Sequence, residues 1–260
     1  MEESNNTMTQ HRINEIADFL SRYLSYMLGA GVHTSRVVRN SKRLGTAFGV
    51  DVSIHTSLKT ATITVRKDNL MNSRVVDVPP FAISFEWNAD LSALSWAALD
   101  NNLSLEEVSE RFDKLVAKPK MNPTFVLFMV SLANASFCRL FGGDMWAMLI
   151  TFTSTMIGFF IRQHLMKRHV NHFIVFTVSS FVASLCASSA LTLGINTAEI
   201  ALATSVLYLV PGVPLINGVI DITDGHTQIG ISRLVNALML IICIAIGMSG
   251  TLMLVKNSLL

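Results

Sequence analysis

The residues with the clearest potential for chemistry lie in one apolar stretch, LVPGVPLINGVIDITDGH, and just after it. Prolines and a glycine interrupt a segment that is otherwise long enough to cross a bilayer, and polar and charged side chains follow the interruption. An arginine there could bind a carboxylate, an asparagine could orient a polar group, and an aspartate or histidine could exchange a proton. The candidate site residues are Pro211, Gly212, Pro214, Asn217, Asp221, His226 and Arg233.

The interruption lies deep in its predicted span. Counted from Ile200 at ~1.5 Å per residue, Gly212 lies ~18 Å along the helix, just past the middle of a ~30 Å hydrocarbon core. Backbone groups freed at that depth must bond to protein or to water in a cavity, since lipid offers no hydrogen bonds. Many transporters present broken helix ends to substrates in this way, whereas a simple proline kink between neighbouring helices is the alternative.

The charged residues after the interruption favour the transport interpretation. Burying a charged side chain in a bilayer costs at least ~2.5 kcal/mol, so such residues normally face a cavity or a partner. Asn217 and Asp221 are four residues apart and share one helical face. Arg233 could pair with Asp221 or receive the carboxylate of a substrate, and competition between these two pairings would act as a switch.

A second set of candidate residues lies in the N-terminal half. His33, Arg36 and His55 could belong to a regulatory or catalytic site, but their spacing matches no nucleophile elbow, HExxH motif or P-loop. Ordinary surface and turn positions are the alternative interpretation. We expect neither a cofactor nor a metal ion. The cysteines stand alone without CxxC spacing and are interpreted as small apolar fillers rather than metal ligands. They are Cys138, Cys186 and Cys243.

Composition indicates a membrane protein in two parts. The chain of 260 residues is 51% hydrophobic and only 15% charged, with a mean hydropathy of +0.48, whereas soluble domains carry about 25% charge. Residues 1–120 contain 14 of the 20 Lys and Arg and 14 of the 18 Asp and Glu. We therefore predict a cytoplasmic domain over 1–120 and a transmembrane domain over 121–260. The net charge of +2 gives no argument for nucleic acid.

Five apolar runs are long enough to cross a bilayer. With the N-terminal domain inside, seven lysines and arginines near the spans fall on the cytoplasmic side and two, Arg139 and Lys256, on the other, which fits the positive-inside rule. The predicted fold is an α-helical membrane protein with about five transmembrane helices, one of them broken at Pro211–Pro214, and an N-terminal cytoplasmic α+β domain. The predicted spans are Pro123–Gly143, Met145–Ile161, Phe173–Gly194, Ile200–Ile220 and Leu234–Val255.

The N-terminal domain is expected to have the order α-α-β-β-β-α-α. Its second helix is predicted to begin at Thr34, as the cap, and to stop at Gly49, which suits a left-handed helix end. Ser104 and Glu107 predict a capping box for the last helix. Alternating apolar residues predict three strands. These strands are Val50–Ile54, Ala61–Val65 and Phe81–Phe85.

The residues at the interruption form the pattern Pro211-Gly212-Val213-Pro214-Leu215-Ile216-Asn217, followed by Asp221, Gly225-His226, Gly230 and Arg233. This pattern resembles the signature of the threonine/serine exporter (ThrE) family. The stretches GAGVHTSRVVRNSKRLGTAFG, SIHTSLKTATIT and GGD are similar to other blocks of the same family. The resemblance extends from about Arg22 to Val255.

The family has a fused form with about ten spans and a split form made by two genes. The length of this chain and its five predicted spans resemble the larger, YjjP-type subunit of the split form, whose partner is a small YjjB-type membrane subunit. The resemblance implies export of small polar carboxylates across the bacterial inner membrane, namely threonine and serine for the fused members and succinate for the split pair. We expect a transporter rather than an enzyme.

Two functional hypotheses follow. In the first, the chain is a proton-coupled exporter subunit whose substrate cradle lies at the broken helix. In the second, it is a membrane-anchored hydrolase or sensor whose site lies around His33, Arg36 and His55. Within the first hypothesis both substrate classes stay open, because hydroxy-amino acids and dicarboxylates each offer a carboxylate to Arg233 and a polar group to Asn217.

Overall fold

The computed structural model describes residues 2–119 and 121–259, with side chains over 10–119 and 121–255. Lys120 and the side chain of Lys256 lie outside these ranges. Both lysines were counted among the basic residues that predict the orientation in the membrane. The chain forms two compact units. The first unit contains the chain up to Pro119 together with Val213–Leu234. The second unit contains residues 121–212 together with the chain from Val235 onwards. These units are defined by packing, so the division into cytoplasmic and transmembrane domains at residue 120 stays a prediction.

The first unit has the predicted element order. Its three strands form an antiparallel sheet in the order β1-β2-β3, with Ile54 opposite Ile63 and Ile63 opposite Arg74. The Ser104 capping box is present as predicted. The elements are α1 (Glu2–Gly29), α2 (Thr34–Ala47), β1 (Asp51–Thr56), β2 (Thr60–Lys67), β3 (Leu70–Asp77), α3 (Phe85–Asp100) and α4 (Leu105–Val116).

The third predicted strand is wrong. The alternation at Phe81–Phe85 belongs to the connection into α3, which begins at Phe85 with Ser84 as its N-cap. Phe81 packs against Tyr26 and Trp87 instead of joining a sheet. The true β3 carries exposed apolar side chains on its outer face, so its hydrophobic pattern is weaker than that of the aromatic connection.

The core of the first unit lies on the apolar face of α1. Tyr23 is fully buried and its hydroxyl donates a hydrogen bond to the Leu91 carbonyl (2.8 Å), while its ring packs near Phe112. Burial raises the pKa of the Tyr23 hydroxyl, and hydrogen bonds with Asn40 and Ser95 oppose that shift. The helix, the sheet and α4 are thus joined by one hydrophobic cluster.

The remaining helices include four that are long and apolar enough to cross a membrane, and five spans result if one broken pair counts as a single span. The chain is therefore a multi-pass membrane protein of mostly helical structure, while the count of five stays a prediction. The helices are α5 (Pro123–Leu140), α6 (Met145–Lys167), α7 (His172–Ala187), α8 (Ser189–Thr192), α9 (Ala198–Thr204), α10 (Gly212–Thr223) and α11 (Thr227–Leu259).

The predicted break is present, but it is narrower than predicted. A 3-10 turn at Leu207–Leu209 follows α9, the helix stops at Val210 and Pro211, and α10 starts at Gly212. Pro214 lies inside the first turn of α10, where its missing N–H costs nothing because the first four amides of a helix have no partner within it. The next helix, α11, begins at Thr227, earlier than the predicted span start at Leu234.

The second unit packs through small and polar side chains. Ala183 and Ala187, four residues apart on α7, are fully buried. The Asn134 amide donates to the Thr155 hydroxyl (2.6 Å) and to the Thr204 carbonyl (2.8 Å). Hydrogen bonds of this kind hold apolar spans together where lipid offers no hydrophobic drive for association.

Candidate functional site

The predicted polar residues after the break come together in the first unit. There α10 and the start of α11 form a helical hairpin, and the connection between α1 and α2, residues 30–33, lies against it. We call this connection the α1–α2 loop. Asp221 is wholly buried and Asn217 is 9% exposed. Both side chains, and that of Arg233, contact the loop or the first residue of α2.

Asp221 lies at the centre of this arrangement. Its Oδ1 accepts a hydrogen bond from the backbone N–H of Thr34 (2.7 Å). Its Oδ2 forms an ion pair with Nη1 of Arg233 at 3.2 Å, although the angles do not meet hydrogen-bond geometry. A buried carboxylate needs such partners, since an unpaired charge in the interior costs several kcal/mol.

One carboxylate of the hairpin caps α2, and a second binds a side chain of its first turn. The first amides of a helix lack partners and carry partial positive charge, so a carboxylate there is stabilising. Asp221 binds the Thr34 amide, and the Ser35 hydroxyl donates to Asp224. The prediction that Thr34 itself caps α2 is wrong, because His33 holds the N-cap position and its side chain makes no capping hydrogen bond.

The α1–α2 loop supplies two acceptors to the hairpin. The Gly31 carbonyl accepts from the Asn217 amide (2.7 Å), and the Val32 carbonyl accepts from Nη2 of Arg233 (3.1 Å). Gly31 has φ +83°, a left-handed conformation that suits glycine. A Cβ at Gly31 would lie 3.1 Å from the Ile83 side chain. The loop is thus shaped to bring its carbonyl groups to these two donors.

The hairpin itself depends on close approach of two glycines. A Cβ at Gly230 would meet the Gly218 carbonyl oxygen at 2.7 Å, and a Cβ at Gly218 would meet the Leu234 side chain at 2.8 Å. Small residues at both positions let the helices touch, which fixes Arg233 relative to Asp221. Gly218 is a site residue that was not predicted, because its only mark in the sequence is a glycine inside a helix.

The other residues of the predicted site lie beside this cluster. His226 is in the turn between the two helices, and its backbone N–H donates to the Asp221 carbonyl (2.7 Å). Pro211 and Gly212 belong to the second unit, at the break itself, and Pro214 is in the first turn of α10. Their assignment to a substrate site stays a prediction.

Of the predicted N-terminal site, His33 and Arg36 are near the cluster and His55 is exposed on β1. Burial, and then the charge of Arg36, lower the pKa of His33, while Asp221 opposes them. The Arg36 guanidinium donates to Asn88 (3.0 Å). In the described residues no hydrogen bond or ion pair joins His55 to the other two, and no group of three His, Cys, Asp or Glu side chains is placed to hold a metal ion.

Comparison with known proteins agrees with the pattern at the break. Residues 18–255 match the family model ThrE, described as "Putative threonine/serine exporter". The chain belongs to the ThrE family. It is 32% identical over 233 residues to a protein of Klebsiella aerogenes named "Probable succinate transporter subunit YjjP", covering 87% of this chain and 90% of that protein. No solved structure matches.

A second relative carries the same name. The Escherichia coli K12 protein is 32% identical over 234 residues, again covering 87% of this chain and 90% of its own length. As a ThrE family member this chain is a membrane transporter and not an enzyme. The hypothesis of a hydrolase in the N-terminal domain therefore gives way to transport.

Proposed function

We propose that this chain is one subunit of an exporter of small polar carboxylates in the bacterial inner membrane, and that it acts with a small YjjB-type membrane subunit. The family is one of threonine/serine exporters, and the similar proteins are named subunits of a succinate transporter. Their name favours succinate-type dicarboxylates over hydroxy-amino acids. The N-terminal domain is then cytoplasmic, as the basic residues beside the spans predict.

The hydrogen bonds made by Arg233 and Asn217 are the observation that supports a substrate site here. Both side chains donate hydrogen bonds to backbone carbonyls of the α1–α2 loop, and Arg233 also pairs with the Asp221 carboxylate. A substrate carboxylate is a stronger acceptor for a guanidinium than a neutral carbonyl, because the bond is assisted by charge and can be bidentate. Substrate can therefore replace the loop carbonyls in the first step of transport.

Asp221 gives the exchange a means of coupling to protons. When a substrate carboxylate binds Arg233, Asp221 loses part of its partner's charge, and in this proposal it carries the coupled proton while the substrate is bound. Departure of the substrate restores the Asp221–Arg233 pair and returns the proton. In this account Asn217 orients the polar group of the substrate, and His226 beside Asp221 passes the proton.

The same contacts support five crossings. Because Thr34 and Ser35 bind Asp221 and Asp224, the turn after α10 lies on the same side of the membrane as the N-terminal domain. Three spans, in α5, α6 and α7–α8, separate that domain from α9. The chain must cross the membrane an even number of times to return to the side of the N-terminal domain. The broken pair α9–α10 therefore makes the fourth crossing. A cysteine at Thr223 that reacts only from the periplasm would contradict this.

The exporter proposal is tested by efflux from cells that lack their own exporters. Cells loaded with labelled succinate or labelled threonine would express this chain alone, the small partner alone, or both. Efflux of one substrate only when both chains are present supports the proposal and identifies the substrate class. Equal retention of both substrates in all three strains, with both chains found in the membrane fraction, contradicts it.

A further inference from the structure

A groove between α2 and α3 carries a set of charges that take no part in the Asp221–Arg233 pair. It has a volume of about 470 Å³ and belongs wholly to the first unit. One wall is the face of α2 that carries arginines at positions i, i+3 and i+7, and the other is a face of α3 with small residues and an exposed tryptophan. The residues that matter are Arg36, Arg39, Asn40, Arg43, Ser92 and Trp96.

Within the part of the chain that the structure describes, the arginines of this groove contact no carboxylate directly, although the charge of Asp100 acts on Arg43. Elsewhere in the first unit Arg12, Arg22 and Arg74 pair with carboxylates. Among the described residues, none of the three groove arginines forms an ion pair, and Arg39 makes no side-chain hydrogen bond. Three guanidinium groups on one helix face repel one another, so an anion between them would be stabilising.

Arg43 is already fixed in position. Its Nη1 donates to the Ser95 hydroxyl (2.7 Å) and to the Asn40 side-chain oxygen (3.0 Å). Its guanidinium carbon lies 3.6 Å from the centre of the Trp96 ring, a cation–π contact. Burial is the main cause that lowers the pKa of Arg43, and the charge of Arg39 acts in the same direction. A guanidinium held flat in this way offers its remaining N–H groups without further loss of freedom.

The charged side chains that line the groove are all donors. They are the guanidinium groups of Arg36, Arg39 and Arg43. The side-chain oxygen of Asn40, which is 2% exposed, holds Arg43 in place. Acceptor-rich, negatively charged groups are what such a wall recognises, and planar guanidinium groups bind carboxylate and phosphate with two parallel hydrogen bonds.

We propose that the α2–α3 groove binds an anion with carboxylate or phosphate groups, either a small molecule in solution or the headgroup of an anionic lipid. Arg39 and Arg43, one helical turn apart, hold the acidic groups, and Trp96 lies beneath Arg43. This site is distinct from the Asp221–Arg233 pair. It gives the N-terminal domain a ligand of its own, through which substrate level or membrane composition can act on the transporter.

The test uses the emission of Trp96 in the full chain, purified in detergent, with Trp87 and Trp146 replaced by phenylalanine. Sodium succinate and sodium phosphate are titrated against sodium chloride at matched ionic strength. Nanodiscs of phosphatidylglycerol are compared with nanodiscs of phosphatidylcholine for the lipid source. We expect a saturable change with an anion of one source, and a roughly tenfold weaker affinity in Arg39→Gln, as loss of a charged hydrogen bond predicts.

The control is Arg111→Gln, which removes an exposed arginine of α4 and should leave the titration unchanged. Calorimetric titration of the chain with all three tryptophans checks that the replacements do not create or abolish binding. The proposal is overturned if chloride gives the same change, if Arg39→Gln binds as the parent does, or if neither soluble anions nor anionic lipid produce any change. Binding is measured without the partner subunit, so the result is independent of whether the exporter proposal holds.

Discussion

Asp221 and Arg233 form an ion pair, with 3.2 Å between Oδ2 and Nη1, in which Asp221 is fully buried and only 11% of the Arg233 side chain is exposed. The other oxygen of the same carboxylate binds the first amide of α2. One aspartate therefore joins three elements, namely α10, α11 and the start of α2. Any change in the Asp221–Arg233 pair therefore also changes the contacts of the α1–α2 loop.

Removing the charge of Asp221 should destabilise the protein. Asp221→Asn keeps the shape of the side chain but leaves Arg233 without its counter-ion, and breaking a buried pair in this way costs about 3 kcal/mol. Chemical denaturation in detergent would measure the difference. Asp224→Asn is the matched control, since Asp224 is exposed and its carboxylate accepts a hydrogen bond from Ser35 without pairing with an arginine or lysine among the described residues. Equal stability of the two variants would show that the pair does not hold the hairpin.

Gly31 should matter for transport as well as for stability. Alanine at a left-handed position costs about 1 kcal/mol, and at Gly31 the added Cβ also meets Ile83, which displaces the carbonyl that holds Asn217. Gly49 has φ +66° and nothing within 4 Å of an added Cβ, so Gly49→Ala carries the backbone cost alone. We expect Gly31→Ala to melt at a lower temperature than Gly49→Ala, and a changed efflux rate only in Gly31→Ala. Unchanged efflux in both would separate the loop from transport.

The hairpin crossing gives a third prediction. Gly230→Ala places a Cβ against the Gly218 carbonyl and Ile222, so the helices must move apart at a cost of about 1–3 kcal/mol. The separation also carries Arg233 away from Asp221 and should reduce efflux. Gly212→Ala, where nothing lies within 4 Å of the new Cβ, is the control and should be stable. A fully active Gly230→Ala protein would contradict the close crossing.

The lowered pKa of His33 predicts how the free energy of unfolding depends on pH. Burial, followed by the charge of Arg36 and then of Arg39, lowers its pKa in the folded protein, while Asp221 and Asp224 oppose the shift. Since the unfolded chain binds the proton more readily, stability is full above the unfolded pKa of about 6.5 and falls as the pH drops through it. Melting curves of the native chain and His33→Gln should converge as the pH falls. A constant difference would contradict this.

Much of the architecture could be predicted from the sequence. The order of the N-terminal elements, the Ser104 capping box and the left-handed Gly49 follow from local patterns, and each is present. The third strand was misplaced, because an aromatic connection carried a stronger period-two pattern than the real edge strand. Local propensity cannot distinguish a strand from a connection whose aromatic side chains pack in the core without joining a sheet.

The partners within the site could be predicted only in part. Asn217, Asp221 and Arg233 were recognised because polar groups in an apolar segment need a reason to be there. Asp221 caps a helix that begins nearly two hundred residues earlier. This contact could not be predicted, because backbone amides leave no mark in the sequence. The same holds for the carbonyls of Gly31 and Val32, whose role depends only on where the chain folds.

In the proposed transport step Arg233 exchanges its acceptors for the carboxylate of a substrate. This exchange is tested by the rate of efflux of labelled succinate and threonine from cells that express the partner subunit with the native chain, Arg233→Gln, or Arg139→Gln as a control outside the cluster. We expect loss of efflux in Arg233→Gln at normal membrane levels and native rates in Arg139→Gln. Native efflux from Arg233→Gln would contradict the proposed exchange.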